Sequence, residues 1–364
     1  MSPEPRRALV LGLGLIGGSV ALGLRGAGFQ VFGRDQNEER AAFALAEGLV
    51  DDLDDGLEAS GPLDLILLAV PVDVVPALAD QVVALLEANP TAVATDVAGV
   101  KAPVLAAIAH PRFIGGHPMA GAELVGPQGA RADLFVGSTW VLCPEAETDP
   151  EAFAKLHGLV LELGASPVAL AASVHDRLVA TVSHLPHLVA ASLMNQAAQL
   201  AEADPVLLRL AAGGFRDMTR VASGDPRIWP DLLISNREAI LEGIEALRAS
   251  LAALAEDLRA ADREDLGSRL AAAQQARRAL PAGRAVPQHL SELRIPVPDR
   301  AGVLAEVTTA ASASNVNLLD IEIAHSAESA GGVLVLVVER GDAHRLAEQL
   351  GELGYRSSAV ELEG

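Results

Sequence analysis

The chain of 364 residues is poor in several residue types, and each shortage excludes a class of protein. Its single cysteine, Cys143, cannot form a disulfide within the chain, which fits a reducing cytoplasmic compartment. Aromatic residues make up 3% of the chain, too few for a surface that stacks nucleic-acid bases. Basic residues number 27 against 48 acidic ones, and the net charge of −21 repels phosphate backbones and anionic lipids. Neither nucleic acid nor a membrane is therefore an expected partner.

The sequence also lacks an apolar run long enough to span a membrane. The uncharged run from Ala8 to Leu24 follows Arg6 and Arg7 and so resembles a secretory signal. Glycines interrupt this run and no small-x-small cleavage site follows it, so we interpret it as part of the folded protein. A chain of this length is expected to form about two or three domains, each with its own core.

A glycine-rich motif lies inside this run. A short apolar stretch is followed by Gly-x-Gly-x-x-Gly at the point where a strand would turn into a helix. Glycines there let the backbone turn sharply and approach a pyrophosphate. The motif alone also occurs in ordinary tight turns, so its context decides. The predicted dinucleotide-binding residues are Gly12, Gly14, Leu15, Ile16 and Gly17.

An acidic residue stands where such a motif needs one. Asp35 follows a second predicted strand (29–33), just over twenty residues beyond Gly12, where a carboxylate can accept hydrogen bonds from the adenosine ribose. This favours NAD over NADP. Arg34 and Arg40 are candidates for neutralising a 2′-phosphate, so NADP stays open.

Further apolar strands alternate with helices along the next hundred residues. The strands are predicted at 65–70 and 92–95, and the helices at 74–88 and 100–109. This alternation predicts a parallel sheet with helices on both faces and ligands at the carboxyl ends of the strands. The loops expected there contain Pro71, residues 96–101 and residues 115–121. Cys143 is predicted to be a buried thiol on a strand at 139–143.

His117 is the strongest candidate for chemistry in these loops. It follows the apolar pair Phe113–Ile114 and lies among glycines, so we expect an exposed loop position. A neutral imidazole there can accept a proton near neutral pH. The alternative is a histidine that only forms a hydrogen bond within a turn. The predicted position beside the nicotinamide end of the nucleotide site favours the catalytic role.

The sequence becomes helical from Ser173 onwards. Residues 174–200 are nearly all apolar, which predicts a helix buried on most sides, here against another subunit. Pro186 is expected to kink it. Ser183 and His187 are four residues apart and share one face. His184 and His187 have metal-ligand spacing, but no nearby acid completes a zinc set, so no metal is predicted.

The remainder of this region is predicted to contain two irregular segments and two helices. Residues 215–220 and 226–230 are placed between helices, and their arginines either bind carboxylates or form structural salt bridges. Residues 240–258 show a helical seam typical of packing or dimerisation. A last helix is predicted at 266–280, and residues 281–288 form a linker.

The last segment, 289–364, is predicted to have the order βαββαβ of a ferredoxin-like module. A glycine-containing turn at 299–302 precedes its first helix, a place where a small carboxylate can bind. Together with Pro-Asp-Arg-Ala-Gly-Val-Leu-Ala-Glu-Val (298–307) and Asn-Val-Asn (315–317), this segment resembles an ACT regulatory domain. The resemblance implies that an amino acid, expected to be tyrosine, binds at Asp299, Ala301, Gly302, Asn315 and Asn317.

Several further motifs occur in a fixed order. They are Gly-Leu-Gly-Leu-Ile-Gly-Gly-Ser (12–19), Ala-Val-Pro (69–71), Asp-Val-Ala-Gly-Val-Lys (96–101), Gly-Gly-His-Pro-Met-Ala-Gly (115–121), Ser-His-Leu-Pro-His (183–187) and Phe-Arg-Asp-Met-Thr-Arg (215–220). In this order they resemble the bacterial prephenate dehydrogenases over nearly the whole chain. The resemblance implies NAD-dependent oxidative decarboxylation of prephenate to 4-hydroxyphenylpyruvate, and it adds Val70 and Pro71 to the cofactor contacts.

The resemblance also implies roles for individual residues. His117 takes the proton of the ring 4-hydroxyl, with Ser183 and His187 completing a polar wall around the substrate. Arg220 binds a substrate carboxylate, and His184 also contacts the substrate. Asp176 and Trp229 shape the mouth of the pocket. Gly99 departs from the family, which usually has a serine there, so a hydroxyl contact is missing or replaced by water.

The expected fold is therefore α/β: a Rossmann-like parallel sheet domain (1–171), an all-α substrate and dimerisation domain (172–280), and the ferredoxin-like ACT domain after the linker. A cytoplasmic homodimer is expected. Two alternative functions stay open. One is an arogenate dehydrogenase with the same chemistry, and the other is a regulator that senses NAD without turnover.

Overall fold

An eight-stranded sheet is built from the first half of the chain. The computed structural model describes residues 5–54, 62–120, 126–204, 206–227, 229–279, 290–298, 300–325 and 331–361. The strands are β1 (Arg6–Leu11), β2 (Phe29–Arg34), β3 (Asp52–Leu53), β4 (Leu65–Leu68), β5 (Val93–Asp96), β6 (Phe113–Pro118), β7 (Thr139–Cys143) and β8 (Ser166–Ala169). Their order in the sheet is β3-β2-β1-β4-β5-β6-β7-β8.

All neighbouring strands of this sheet run parallel except β6 and β7. The parallel prediction is therefore confirmed for β1 to β6 and wrong for the next pair. Between β6 and β7, the described residues contain only a short 3-10 turn (Pro127–Gly129) and no crossover helix. Without a crossover, β7 returns antiparallel to β6.

Helices cover both faces of the sheet, as predicted. They are α1 (Leu15–Gly26), α2 (Glu38–Ala46), α3 (Val75–Ala88), α4 (Ala102–Ala107) and α5 (Pro150–Glu162). On one face, Leu24 of α1 and Leu156 of α5 pack into one buried cluster, and on the other Val82 of α3 and Val104 of α4 pack into a second. The apolar strands are thus buried on both sides.

His117 lies on a strand, and the expectation of an exposed loop is wrong. β6 continues through both glycines to Pro118, and Gly115 and Gly116 pair with Cys143 and Leu142 of β7. A Cβ atom on Gly116 would lie 2.5 Å from the carbonyl oxygen of Asp96, so only glycine permits this close approach. His117 is consequently half-buried.

Cys143 is fully buried on β7, which confirms its predicted place in the core. Burial raises the pKa of its thiol to about 12. A thiol that holds its proton so strongly is not a nucleophile near neutral pH.

The helical middle contains more elements than predicted. They are α6 (Ala172–Val179), a π turn (Ala180–His184), α7 (Leu185–Ala203), α8 (Val206–Arg209), α9 (Gly213–Thr219), a 3-10 turn (Arg220–Ser223), α10 (Trp229–Ser235), α11 (Arg237–Ala260) and α12 (Arg263–Arg278). Residues 215–220 therefore lie in a helix and a 3-10 turn, not in a loop. No helix in the described part of the chain is long and apolar enough to cross a membrane.

The long helix predicted over 174–200 is divided into α6 and α7. The irregularity expected at Pro186 takes the form of the π turn, which ends at His184, and Pro186 is the second residue of α7. The backbone stays helical at Val179, His184 and Leu185, so the proline follows a π turn and not a break in the helix. Within one copy of the chain, side chains such as Val182 and Leu200 are exposed. The predicted burial is against another subunit, so it stays a prediction.

The chain divides into two units, Met1–Ser250 and Leu251–Gly364. The second contains β9 (Leu290–Pro298), α13 (Val303–Ala313), β10 (Asp320–His325), β11 (Gly331–Glu339), α14 (Arg340–Glu352) and β12 (Ser358–Glu361). The strand order β10-β11-β9-β12 is antiparallel throughout, so each crossover helix spans an intervening strand, as in the predicted βαββαβ arrangement. Asp299 and the predicted linker lie outside the described residues.

Candidate active site

The glycine motif forms the turn between β1 and α1. Gly12 has φ of +95°, and a Cβ atom there would lie 2.3 Å from the carbonyl oxygen of Ala69. A Cβ atom on Gly17 would lie 1.9 Å from the carbonyl oxygen of Gly12. A Cβ atom on Gly14 would meet no atom within 4 Å. Gly12 and Gly17 are therefore required by the turn itself, whereas Gly14 faces open space.

The amino terminus of α1 is suited to an anion. Gly14 is its N-cap residue, no side chain caps the helix, and its first turn carries no acid. Leu15 and Ile16 are the first helical residues, and their backbone N–H groups have no partner within the helix. Uncapped N–H groups at the positive end of a helix bind phosphate. The turn thus fits the pyrophosphate of a dinucleotide.

Asp35 lies directly after β2 and supports the glycine turn. Its Oδ2 accepts the N–H of Leu13 at 2.8 Å, and its Oδ1 accepts the N–H of Asn37 at 2.8 Å. Arg34, the candidate for a 2′-phosphate, forms an ion pair with the buried Asp54. The arrangement therefore places a carboxylate, and not a free guanidinium, at the end of β2.

The other predicted cofactor residues lie beside the turn or on its flank. Val70 follows β4, and its Cγ1 would lie 3.2 Å from a Cβ atom on Gly12. Pro71 is the next residue and is exposed. Arg40 lies on α2 and is also exposed.

A buried ion pair fixes the backbone just before His117. Lys101 forms an ion pair with Asp96 Oδ2, and both side chains are buried. Lys101 Nζ also donates to the carbonyl oxygen of Gly116 at 2.6 Å, while Asp96 Oδ1 accepts the N–H of Gly116 at 3.0 Å. This group holds the end of β5 against β6. The motif 96–101 is visible in the sequence, but its spacing does not indicate this role.

His117 is held in its neutral form by its surroundings. Burial is the main cause, and the positive charge of Lys101 and the nearby His175 and His184 add to it, lowering the pKa to about 3. The imidazole is therefore uncharged at neutral pH and can accept a hydrogen bond from a hydroxyl group.

Two residues of α6 lie behind His117. His117 Nδ1 and His175 Nε2 are 2.9 Å apart, and His175 Nδ1 lies 2.7 Å from Asp176 Oδ1. The resemblance places Asp176 at the pocket mouth, whereas the structure buries its carboxylate against His175 and the N–H groups of Lys101 and Ala102. The sequence pattern alone did not identify His175. The only local signal was its adjacency to Asp176 at the start of a helix.

His184, His187 and Trp229 form a second group. The ring of His187 stacks on Trp229 with centroids 3.6 Å apart and 11° between the planes. His184 meets the edge of Trp229 at 6.4 Å and accepts a hydrogen bond from the buried Asn236 Nδ2 at 3.2 Å. Asn236 Nδ2 also donates to the carbonyl oxygen of Asp176 at 2.8 Å, which connects this group to the one behind His117.

The two remaining predicted substrate residues lie near this group in sequence. Ser183 is half-buried in the π turn next to His184. Arg220 is exposed and begins the 3-10 turn after α9. In the part of the chain that the structure describes, neither forms a hydrogen bond to His117, His175 or Asp176.

The position beside Gly99 is filled by a side chain. A Cβ atom on Gly99 would lie 2.8 Å from Leu232 Cδ1 and 3.9 Å from His117 Nε2. The end of the Leu232 side chain on α10 thus lies where the side chain of a serine at position 99 would begin. The expectation that the hydroxyl contact is either missing or replaced by water stays a prediction.

No cluster of three or more His, Cys, Asp or Glu side chains suited to a metal ion occurs among the described residues. The predicted effector residues that the structure describes lie in the second unit. Gly302, with φ of +93°, is the N-cap of α13, and Ala301 beside it is exposed. Asn315 has φ of +51°, and Asn317 is exposed two residues later. The neighbouring Arg300 binds Glu306 through two hydrogen bonds of 2.8 Å.

Two family models match the chain. Residues 20–169 match the prephenate dehydrogenase nucleotide-binding domain, and residues 171–272 match the prephenate dehydrogenase dimerization domain. A prephenate dehydrogenase from Bacillus subtilis is 32% identical over 358 residues, which cover 94% of both chains.

Solved structures show the same similarity. The prephenate dehydrogenase of Aquifex aeolicus, in complex with hydroxyphenyl propionate and NAD+, is 29% identical with a TM-score of 0.70, over 77% of this chain and 100% of that one. The arogenate dehydrogenase of Synechocystis is 33% identical with a TM-score of 0.65, over 74% of this chain and 98% of that one.

Proposed function

The chain belongs to the prephenate dehydrogenase family, and we propose on this premise that it converts prephenate to 4-hydroxyphenylpyruvate by NAD-dependent oxidative decarboxylation. The observation that carries the proposal is the neutral imidazole of His117, held on β6 by the Asp96–Lys101 pair. Family membership identifies the reaction, and this imidazole is the group in the chain that suits its proton step.

The chemistry needs a proton acceptor at the ring hydroxyl. NAD+, when bound, supplies the acceptor for the hydride that leaves C4 of the ring. His117 Nε2 takes the 4-hydroxyl proton as the C4–O bond becomes a carbonyl. When CO2 leaves C1, the electron pair of the broken C–C bond stays in the ring, and the ring becomes an aromatic phenolate. His117 then returns the proton to the phenolate oxygen. Aromatisation drives the reaction, so the protein mainly positions and polarises the substrate.

We assign the cofactor site to the glycine turn and Asp35. The uncapped start of α1 suits the pyrophosphate, and the Asp35 carboxylate suits a ribose bearing two hydroxyls. The ion pair of Arg34 with Asp54 leaves that guanidinium engaged, which supports NAD over NADP. The NAD+ bound in the Aquifex aeolicus relative agrees with this preference.

We place the substrate between His117 and the group formed by His187 and Trp229. In this proposal Ser183, His184 and His187 line the polar wall, Trp229 covers the ring, and Arg220 binds a carboxylate of the substrate. Arg220 is exposed in the single chain, which suits a residue that meets a charged ligand.

The second unit is proposed to be an ACT domain that binds tyrosine. Its antiparallel βαββαβ order supports this, as does the Bacillus subtilis relative, whose similarity extends over 94% of both chains. The effector would bind at the turn before α13, at residues 299–302, and near Asn315 and Asn317. The helical middle is proposed to form a homodimer, as the name of its matching family model suggests.

Arogenate dehydrogenase is the alternative, because the Synechocystis relative is similar over almost its whole length. Steady-state rates with prephenate and arogenate, each with NAD+ and NADP+, test the proposal. We expect the highest kcat/KM with prephenate and NAD+, and a lower rate when L-tyrosine is added to the full chain. A large preference for arogenate would overturn the substrate assignment, and no turnover of either would favour the NAD-sensing regulator.

A further inference from the structure

His175 and Asp176 form a hydrogen-bonded line behind His117. His117 Nδ1 lies 2.9 Å from His175 Nε2, and His175 Nδ1 lies 2.7 Å from Asp176 Oδ1. The two imidazole rings meet at 78° with centroids 5.1 Å apart, so their contact is edge-on. Both α6 residues are buried.

The direction of these hydrogen bonds follows from the carboxylate. Asp176 accepts the N–H of Lys101 on Oδ1 at 2.7 Å and the N–H of Ala102 on Oδ2 at 2.8 Å, so both of its oxygens act as acceptors. His175 Nδ1 must therefore carry a hydrogen and donate it to Asp176. A neutral His175 then has a lone pair on Nε2, which accepts the Nδ1 hydrogen of His117. His117 Nε2 then carries no hydrogen, and its lone pair is free to accept one.

We propose that His175 and Asp176 are positioning residues that fix His117 as the Nδ1–H tautomer and so direct its Nε2 lone pair to the hydroxyl that is oxidised. The inference rests on the proposed function and names the residues that orient its base. A histidine base with its second nitrogen bound to an acceptor is held in one tautomer and one ring orientation.

The same line can carry a proton away from His117 once its Nε2 has accepted one. Burial, the ammonium of Lys101 and the rings of His175 and His184 all disfavour a positive charge on His117, and the Asp96 carboxylate is already bound to Lys101. When a proton arrives at Nε2, the Nδ1 proton can pass to His175 Nε2. One proton enters and one leaves His117, and the positive charge then lies on His175 beside the Asp176 carboxylate.

Two substitutions of His175 separate orientation from charge. In His175→Gln the carboxamide has a donor and an acceptor, so it can bridge His117 and Asp176, but it cannot take a proton. His175→Phe keeps a ring and removes both hydrogen bonds. We expect kcat with prephenate to fall about 10-fold for His175→Gln and about 100-fold or more for His175→Phe, with KM values nearly unchanged. His157→Gln on α5 is the matched control and should behave as wild type.

The tautomer itself is tested without turnover. In 15N-histidine-labelled full chain, long-range 1H–15N correlation spectra distinguish Nδ1–H from Nε2–H imidazoles, and the His117→Asn variant assigns the His117 signals. We expect Nδ1–H for His117 in wild type and in His175→Gln. An Nε2–H form in wild type would overturn the inference, even where a variant fails to fold.

Different results would overturn the proposed function and the role inferred for His175 and Asp176. A wild-type chain that turns over prephenate, with wild-type kcat in a folded His175→Phe, overturns the inference and leaves the function intact. A wild-type chain that does not use prephenate overturns the function. The spectra then still decide whether His175 and Asp176 set the tautomer of His117.

Discussion

The imidazole of His117 is neutral because its surroundings destabilise the positively charged form. Burial and the ammonium of Lys101 hold its pKa near 3, far below the ordinary value of 6.5. In the free enzyme it is therefore in its uncharged form at any pH at which the protein is expected to work. The same property has a consequence for stability, because the unfolded chain does not hold this pKa down.

We expect the protein to lose stability in mild acid through His117. Between pH 3 and 6.5 the unfolded state binds the proton and the folded state does not, so the free energy of unfolding falls as pH decreases through this window. At pH 5, 1.5 units below the ordinary value, the loss from His117 is about 2 kcal/mol relative to neutral pH. Urea unfolding followed by the fluorescence of Trp140 and Trp229 measures it at pH 7 and pH 5.

The comparison needs two variants. His117→Asn should lose about 2 kcal/mol less than wild type between the two pH values, because its side chain does not titrate. His344→Asn, which removes an exposed histidine of α14, should follow wild type. Parallel losses in wild type and His117→Asn would contradict the neutral, buried imidazole.

At the scale of elements, the glycines in the turn between β1 and α1 are needed for two different reasons. Gly12 and Gly17 are needed because other backbone atoms lie where their Cβ atoms would be. Gly14 has φ of −77°, which any residue adopts, and its side-chain position is open. Its glycine is explained only by something that approaches from outside the chain. A phosphate at the start of α1 is such a group.

Two single substitutions in this turn should therefore have different effects. Gly14→Ala should unfold at the wild-type temperature but raise the KM for NAD+ about 10-fold or more, because the methyl group lies where the pyrophosphate must approach. Gly17→Ala should unfold at a lower temperature, since its Cβ atom would lie 1.9 Å from the Gly12 carbonyl oxygen. Thermal unfolding and NAD+ titration measure both effects. Wild-type NAD+ affinity in Gly14→Ala would remove the pyrophosphate from this turn.

At the scale of the whole molecule, the helical middle exposes many large apolar side chains in the single chain. Examples lie on α6, the π turn, α7, α10 and α11: Leu178, Val182, Leu200, Ile234 and Leu241. Exposed apolar side chains in such number indicate an interaction surface. The match of this region to a dimerization domain identifies a second copy of the chain as the expected partner.

We expect sedimentation equilibrium to give twice the chain mass of 37.5 kDa. Leu241→Glu places a charge on α11 at a residue that is 58% exposed in the single chain, and it should shift the protein towards monomer. The matched control is Leu161→Glu on α5, where the leucine is 53% exposed on the sheet domain. A dimer unaffected by Leu241→Glu would place the interface elsewhere.

The sequence by itself determined the local structure and the family. Periodic apolar residues and glycine turns depend on near neighbours, so the βαβ unit, the Asp35 position, the parallel strands β1, β2, β4 and β5 and the βαββαβ order were all predictable. The order of short motifs indicated the family in the same way. The reversal of β7 was not predictable, because it depends on how the chain returns between β6 and β7, where the described residues form no crossover helix.

Only the tertiary structure decided what surrounds His117. A loop histidine among glycines became a strand residue because Gly116 fits between Asp96 and β7, a contact that no local pattern encodes. His175 lies 58 residues beyond His117, and its role depends on where α6 packs against β6. Hydrogen bonds of this kind depend on the position and orientation of distant elements, which spacing along the chain does not specify.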